Sequence, residues 1–573
     1  MRRLRIFYSL IIAGILFLCL ALAYHQVIQF SKYQQLSQVN RIRILPQSAS
    51  RGCILDRNGN ILASNTLSYN LLIMPQDENF SIEHIYKLSQ ALSISEKKLK
   101  SNYNKGYKVP FVPVSLYKEI SLAEAVAIGQ LKYDFPEIII QSVPKRKYPL
   151  GRVGCHILGY LGQIDTWRLE WLKEYGYKIQ DLVGYNGIEE VYDYILRPRD
   201  GGRQVEVDSK GRVSRILGFK AASKGKDIQL NIDLRLQEIV HNSLKRHTGC
   251  IIVLNPAGEI LALENSPNYN PQVFQDGSPS SINLLLNDSD APLFNRAING
   301  LYPPGSIFKI VVAAAGLEKK KVDSHSQFFC LGSMQIGDRK FHCWESHREE
   351  DIVDALAHSC NVFFYNLGLR LGPQLINEYA LQFGLNQQTG IDLSGESTGY
   401  LPYSFWQRIK KARRWFAGDT ANLSIGQGEI LVTPLQIARM MAALANDGKL
   451  VKPRLLRSVN ESGQFLEVPP SGQAANLPIS KETLEIIRRG LIGAVNKPGG
   501  TADVLANLGI SIAGKTGSAQ VSSGQAHGWF AGYFPVNKPR FVICVFLEHI
   551  GSGYYCCLLT KNIIEQMLVE GLL

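Results

Sequence analysis

Tyr302-Pro303-Pro304-Gly305-Ser306-Ile307-Phe308-Lys309 constrains the fold more than any other stretch of this chain. Pro303, Pro304 and Gly305 make a stiff turn that a helix interior cannot contain. The run that follows, Ile307 to Ala315, is apolar and Ala-rich apart from one lysine, and it is long enough for a buried helix. Ser306 therefore falls at or near a helix start, and Lys309 falls one turn in, on the same face. An ammonium on an apolar helix is costly unless something uses it. The Ser-x-x-Lys spacing supplies a use. Desolvation lowers the lysine pKa, the neutral amine takes the serine proton, and the helix N-terminus favours the developing negative charge. The plainer reading is a capping serine and a snorkelling lysine, and this spacing alone does not separate the two.

At 573 residues the chain exceeds one ordinary domain, and two or three are expected. The formal charge of +13 is spread out, with small clusters at Lys145-Arg146-Lys147 and Lys410-Lys411-Ala412-Arg413-Arg414. Zinc-finger spacing, an RNA-binding signature and a long basic arm are all missing, which argues against nucleic acid as a partner. Basic surface near an anionic membrane fits the charge better. The ten cysteines form no paired C-x-x-C, so no metal and no cofactor is expected. Cys556-Cys557 reads as packing rather than redox chemistry.

Arg2, Arg3 and Arg5 precede a nearly continuous apolar run from Phe7 to Tyr24. Extended to about Phe30, the run is long enough to span a bilayer. The arginines place residues 1–6 in the cytoplasm, make 7–30 a transmembrane anchor and put everything after it outside the cytoplasm. The rival is a cleaved signal peptide, because Ala21-Leu22-Ala23 satisfies the small-x-small rule. The apolar run is long for a signal core, which favours an uncleaved anchor.

Residues 31–225 read as a β-rich pedestal. Asn58-Gly59 is a hairpin turn between apolar strands, Glu78 to Ser142 mixes Lys-rich helices with short apolar segments, and Gly187-Ile188-Glu189-Glu190 opens a helix through Leu196. His156 is a tempting base, but one histidine among glycines reads as structural. From about residue 226 the pattern changes. Cys250 to Leu254 and Glu259 to Leu263 form a hairpin, helices follow, Arg540 to Glu548 is a strand and Lys561 to Leu572 a final amphipathic helix. Strands, a helical block, then a strand and a helix predict an α+β domain over 226–573, with an antiparallel sheet between helices.

Two further motifs follow Ser306 and Lys309. Ser359-Cys360-Asn361 falls between apolar runs, as a turn between buried helices. Lys515-Thr516-Gly517-Ser518 leads into Ala519 and Val521, as a strand. Each has a bland version, a capping turn and a strand end. All three in this order are specific to penicillin-binding proteins and class A β-lactamases. The chain resembles the class B, monofunctional penicillin-binding transpeptidases over nearly its whole length. The resemblance includes Arg51 to Gly59, Gly187-Ile188-Glu189, Asn295-Arg296, Thr433-Pro434-Leu435-Gln436 and His527-Gly528-Trp529-Phe530. Ile425-Gly426-Gln427-Gly428 and the stretch from Cys330 to Cys343-Trp344 look most like the elongation-type enzymes of that class.

The resemblance implies a peptidoglycan D,D-transpeptidase. Ser306 would be acylated by a D-alanyl-D-alanine stem peptide, or by a β-lactam, with Lys309 as base. Ser359 would relay a proton to the departing D-alanine, and Asn361 would hold the substrate amide. Lys515 would supply positive charge, and Thr516, Gly517 and Ser518 would receive the substrate carboxylate. The backbone N–H groups of Ser306 and Ser518 would form the oxyanion hole. A polytopic glycan polymerase of the elongation machinery would be the partner in the cell membrane. Two departures from the family pattern stand out: Cys360 within the second motif, and Glu345-Ser346-His347-Arg348 in place of a more usual His-Gly. Other readings keep the chemistry but use water, as a D,D-carboxypeptidase or β-lactam hydrolase, or make the chain mainly a tethered scaffold. Cys330 and Cys343, close together in a turn-rich stretch outside the cytoplasm, are the best disulfide candidate.

Overall fold

The structure is a computed structural model that describes residues 2–34, 42–75, 82–107, 113–131, 135, 137–179, 181–207, 213–402, 414–470 and 474–573. The basic cluster at 410–414, apart from Arg414, and the start of the expected helical stretch at Glu78 lie outside these residues.

Arg2–Ala23 is an α-helix that runs on through Tyr24–Ile28. The 25 residues Leu4–Ile28 are long and apolar enough to cross a membrane, and none of the window is covered by protein. At 1.5 Å per residue they span about 37 Å, against about 30 Å of hydrocarbon. The helix fits a single-pass membrane anchor.

The chain forms two compact units. The first comprises Met1–Gly52, Asn65–Lys145 and Arg197–Gly225, and the second Cys53–Ser64, Arg146–Leu196 and Lys226–Leu573. Within the first unit, Ile42–Gln47, Gly201–Val207 and Val213–Lys220 pair as an antiparallel sheet. Its core is more helical than the sequence suggests. Helices Ile82–Leu92, Glu96–Gly106 and Leu122–Leu131 bury Leu88, Leu99 and Ile128 against Leu71, Leu116 and Ile138 of neighbouring strands.

The second unit is built on a five-stranded antiparallel sheet. In spatial order its strands are Ile260–Ser266, Gly249–Leu254, Phe541–Leu547, His527–Phe534 and Ala513–Ala519. Both faces are covered, as Phe541–Leu547 makes plain through its period of two. Val542, Cys544 and Phe546 join one core with helices Lys309–Glu318 and Pro434–Ala445. Phe541, Ile543, Val545 and Leu547 join another with Leu234–Leu244 and Tyr554–Val569. This is the expected α+β transpeptidase-type architecture. A second sheet contains Ile54–Leu55, which runs parallel to Ile228–Gln229 and antiparallel to Ile61–Ala63. Asp56 Oδ1 closes that hairpin by accepting from the N–H groups of Asn58 (2.8 Å) and Asn60 (2.7 Å), and Gly59 takes φ +89°.

The final helix begins at Tyr554, seven positions before the expected Lys561. Its first turns carry Cys556 and Cys557, both fully buried. They pack into the core from within the helix, which agrees with packing over redox chemistry. The strand expected over Arg540 to Glu548 runs over Phe541–Leu547.

Candidate active site

The turn before Ser306 is held from several sides. Tyr302 exchanges backbone hydrogen bonds with Val432, at 3.0 and 2.9 Å, and Trp529 Nε1 donates to Pro303 O at 3.0 Å. Gly305 has φ +54° and donates its N–H to Gly426 O at 3.0 Å. A β-carbon on Gly305 would lie 2.9 Å from Ser518 O, and one on Gly426 would lie 2.1 Å from Gly305 O. Three segments far apart in sequence thus meet at the nucleophile turn with no room for side chains. Glu548, which the sequence reading passed over, accepts from Tyr302 Oη at 2.7 Å and Arg296 Nε at 2.9 Å, behind the same turn.

Ser306 does not open the α-helix. It sits in a 3₁₀ turn over Gly305–Phe308, and the α-helix Lys309–Glu318 starts at the lysine. The tight turn leaves Ser306 half-buried at the cleft, while Lys309 is fully buried. Lys309 Nζ lies 2.8 Å from Ser359 O, 3.1 Å from Ser359 Oγ and 2.7 Å from Asn361 Oδ1. Burial pulls its pKa down from 10.5 to about 8.

Ser359 links helix Ile352–Ala357 to helix Asn361–Gln382 and takes φ +58°, uncommon for a residue with a side chain. That conformation turns its carbonyl and hydroxyl toward Lys309. Asn361 Nδ2 donates to His342 O at 3.2 Å, so the amide is held from both ends.

Lys515 lies on Ala513–Ala519, the edge strand of the five-stranded sheet, which leaves one side of its backbone without a strand partner. Its side chain is fully buried, and burial together with the charge of Lys309 lowers its pKa well below the usual lysine value. Thr516 Oγ1 donates to Thr501 Oγ1 at 2.8 Å, and Ser518 Oγ accepts from Gly553 N–H at 3.0 Å. The Ser518 hydroxyl proton is then free to face a ligand.

Ser306, Ser359, Asn361, Thr516, Gly517 and Ser518 all line one cleft of about 820 Å³. Lys309 bonds to Ser359 and Asn361 of this lining, and buried Lys515 is close enough to Lys309 to feel its charge. The sequence-predicted residues are therefore brought together without exception. His156 is not among them. It is buried, its Nε2 lies 2.9 Å from Pro292 O, and burial pulls its pKa down to about 4, so it is structural.

The cysteine expectations need correcting. Cys330 and Cys343 are free thiols rather than a disulfide. They meet His347 and Cys360 in a group whose four donor atoms all lie within 4.8 Å of one another. Both sulfurs face His347 Nδ1, Cys330 at 3.6 Å and Cys343 at 3.5 Å. A hydrogen bond from the Cys360 thiol holds the Cys343 pKa down, favouring its thiolate. Three sulfurs and an imidazole are a zinc donor set. Tetrahedral sulfurs at ~2.3 Å from the metal lie roughly 3.8 Å apart, so this group needs only a small contraction. Such a closed site would tie the stretch 330–347 to the Ser359 turn and leave no coordination position open for catalysis. Spacings of 13, 4 and 13 residues hid it from a search for paired C-x-x-C. The cue was Cys360 and His347, the two departures from the family pattern, in one neighbourhood.

The family profile described as the penicillin binding protein transpeptidase domain matches residues 249–568, and that of the penicillin-binding protein dimerisation domain matches 46–230. The peptidoglycan D,D-transpeptidase MrdA of Acinetobacter baumannii is 32% identical over 592 residues, covering 99% of this chain and 87% of the relative. MrdA of Escherichia coli K12 is 30% identical over 579 residues, covering 95% and 90%. Among solved structures, the penicillin-binding protein PBP2 of Helicobacter pylori in complex with MreC superposes with a TM-score of 0.83 at 26% identity, covering 93% of this chain and 99% of that one. A chain from a peptidoglycan synthase complex, solved in a study of coordinated polymerization and crosslinking, gives 0.72 at 26% identity, covering 98% and 97%.

Proposed function

The chain belongs to the class B penicillin-binding proteins, in the elongation-type group of penicillin-binding protein 2, and is a serine D,D-transpeptidase of peptidoglycan; from that premise we propose how its residues divide the work. Ser306 Oγ attacks the carbonyl between the two terminal D-alanines of a stem peptide. The new bond is an ester, the C–N bond breaks, and D-alanine leaves carrying a proton.

One observation carries this reading: the buried Lys309 nitrogen lies within hydrogen-bond reach of Ser359 O, Ser359 Oγ and Asn361 Oδ1. A neutral amine has two N–H donors and one lone pair. The carbonyl oxygens of Ser359 and Asn361 can only accept, so they suit the two donors. The lone pair is left for a hydroxyl, first that of Ser306 and then that of Ser359. Lys309 thus takes the proton of Ser306, and Ser359 returns it to the departing amine. Thr516, Gly517 and Ser518 receive the terminal carboxylate, whose negative charge, with Lys309 neutral, favours the protonated form of Lys515 behind them. The amine of a second stem peptide then attacks the ester carbonyl; the new bond is an amide, the acyl C–O bond to Ser306 breaks, and the amine's proton returns through Lys309 to Ser306 Oγ, which closes the cross-link. The test is intact mass after exposure to a β-lactam. One adduct is expected, mapped to Ser306 and absent from Ser306→Ala. An adduct elsewhere with Ser306 unmodified would sink the assignment.

The apolar Leu4–Ile28 helix and the arginines before it support a second unit that works outside the cytoplasm, periplasmic in a Gram-negative envelope. The first unit carries no catalytic cluster among the described residues, and it serves with the anchor as the surface for a polytopic glycan polymerase. Relatives solved with MreC and in a peptidoglycan synthase complex support partners drawn from the elongation machinery. In a reconstituted membrane, Ser306→Ala is expected to stop cross-linking and leave glycan length largely intact. Glycan polymerised equally well with no pedestal present would remove the scaffold half. Products that are only hydrolysed, never cross-linked, would make the enzyme a carboxypeptidase instead.

A further inference from the structure

The cleft wall is unusual in its charge. Its lining is mostly uncharged: hydroxyls and amides such as Thr501, Thr516, Asn361 and Gln427, together with aromatic rings. No Asp or Glu lines it among the described residues, and Lys340 is the only lysine or arginine that does. Lys340 is exposed, on the hairpin formed by Ser333–Ile336 and Arg339–His342, and has no ion-pair partner among the described residues.

That hairpin is tied to the catalytic residues. His342, two positions along the same strand, accepts from Asn361 Nδ2 at 3.2 Å and from Tyr365 Oη at 3.1 Å. Phe341 between them packs edge-on to Tyr365, with ring centroids 5.6 Å apart. The strand's backbone is thereby fixed relative to Asn361, and Lys340 is held at the cleft on a rigid element.

A stem peptide's terminal carboxylate is already matched by Thr516, Ser518 and Lys515. A second cation facing a cleft with no carboxylate of its own is matched by a second anion on the same ligand. Resting on the transpeptidase reading, we infer that Lys340 is a specificity-determining residue that binds a second carboxylate of the acyl-donor peptide, on a residue upstream of its D-alanyl-D-alanine end. Donors with that carboxylate free are the preferred class, and donors with it amidated are the poorer one. Lys340 makes no contact with the reacting atoms. Its effect falls on KM rather than on the chemical step.

The experiment uses the full-length protein in detergent and two synthetic donor peptides ending in D-alanyl-D-alanine. They differ only in a free or amidated side-chain carboxylate upstream. D-alanine release with an amine acceptor gives the acid-to-amide ratio of kcat/KM. A single ion pair at a cleft edge predicts a ratio of about fivefold for the native protein. Lys340→Ala brings the ratio to about one through KM, Lys340→Glu inverts it, and Lys340→Arg retains it. β-lactam labelling of Ser306 reports that each variant is folded. A native ratio near one, or a ratio that survives in Lys340→Ala and Lys340→Glu, overturns the subsite while leaving the transpeptidase intact. Failure of the native protein to turn over either donor, with no labelling of Ser306, would overturn the reading beneath it and the subsite with it.

Discussion

Asn361 donates its backbone N–H to the sulfur of Cys343 at 3.1 Å. Through this bond a residue of the second catalytic motif is fastened to the thiol group 18 positions earlier. If the four donors hold zinc, the metal orders the Ser359 turn without entering the chemistry. The full-length protein is expected to carry close to one zinc per chain by elemental analysis. Cys343→Ala removes it, lowers the Tm by more than about 5 °C and slows β-lactam acylation. Metal-free native protein whose Tm is indifferent to chelator would reject the site.

Lys309 supplies a pH dependence. Burial lowers its pKa from 10.5 to about 8, so the neutral, proton-accepting form appears more than two pH units earlier than for a lysine in water. Acylation is therefore expected to rise with pH through about 8, and stopped-flow labelling between pH 6 and 9 reads it directly. Lys309→Ala keeps the fold and slows acylation by roughly 10²–10⁴. A flat profile would assign the proton to another base.

Gly426 is a steric test. Its φ is +71°, and an added β-carbon would lie 2.1 Å from Gly305 O. Gly426→Ala must therefore displace the turn that carries Ser306. Left-handed strain alone is worth about 1–2 kcal/mol, so acylation is expected to fall at least about tenfold, in a protein that still melts cooperatively. Unchanged labelling kinetics would show that the turn tolerates movement.

Glu189 separates stability from catalysis. Its Oε1 lies 2.6 Å from Arg146 Nε, with both side chains almost wholly buried, and also accepts from Tyr148 Oη at 3.3 Å. Removing one partner of such a buried pair takes its opposite charge away from the other. Glu189→Ala is expected to cost about 3–5 kcal/mol in denaturant unfolding. Labelling of Ser306 well below the melting range is expected to persist.

The site was legible because its chemistry is local: Ser306 and Lys309, Ser359 and Asn361, and Lys515 to Ser518 each announce themselves within four residues. What joins them is not local. Gly305, Gly426 and Ser518 touch across more than 200 positions, and only the conformations of Gly305 and Gly426 give that contact away. The thiol group was missed because its ligands are spread over 30 positions, from a strand end at Cys330 to the residue before helix Asn361–Gln382. The compact units were harder still, since Ile54–Leu55 reaches the second unit by pairing with Ile228–Gln229, a partner that no window along the chain can reveal.

The central strand of the catalytic sheet, Phe541–Leu547, is also its last in sequence. It separates Gly249–Leu254 from His527–Phe534 and hydrogen-bonds to both. A chain delivered across a membrane from its N-terminus presents Gly249–Leu254 nearly 300 residues before that partner arrives. The sheet cannot close during transit, and the two cores on its faces stay open with it. If the second unit lies beyond the membrane, this strand order means that the chain crosses it before the sheet can close, and a ribosome that stops a few dozen codons early leaves a polypeptide with both halves of the active site and nothing to hold them together.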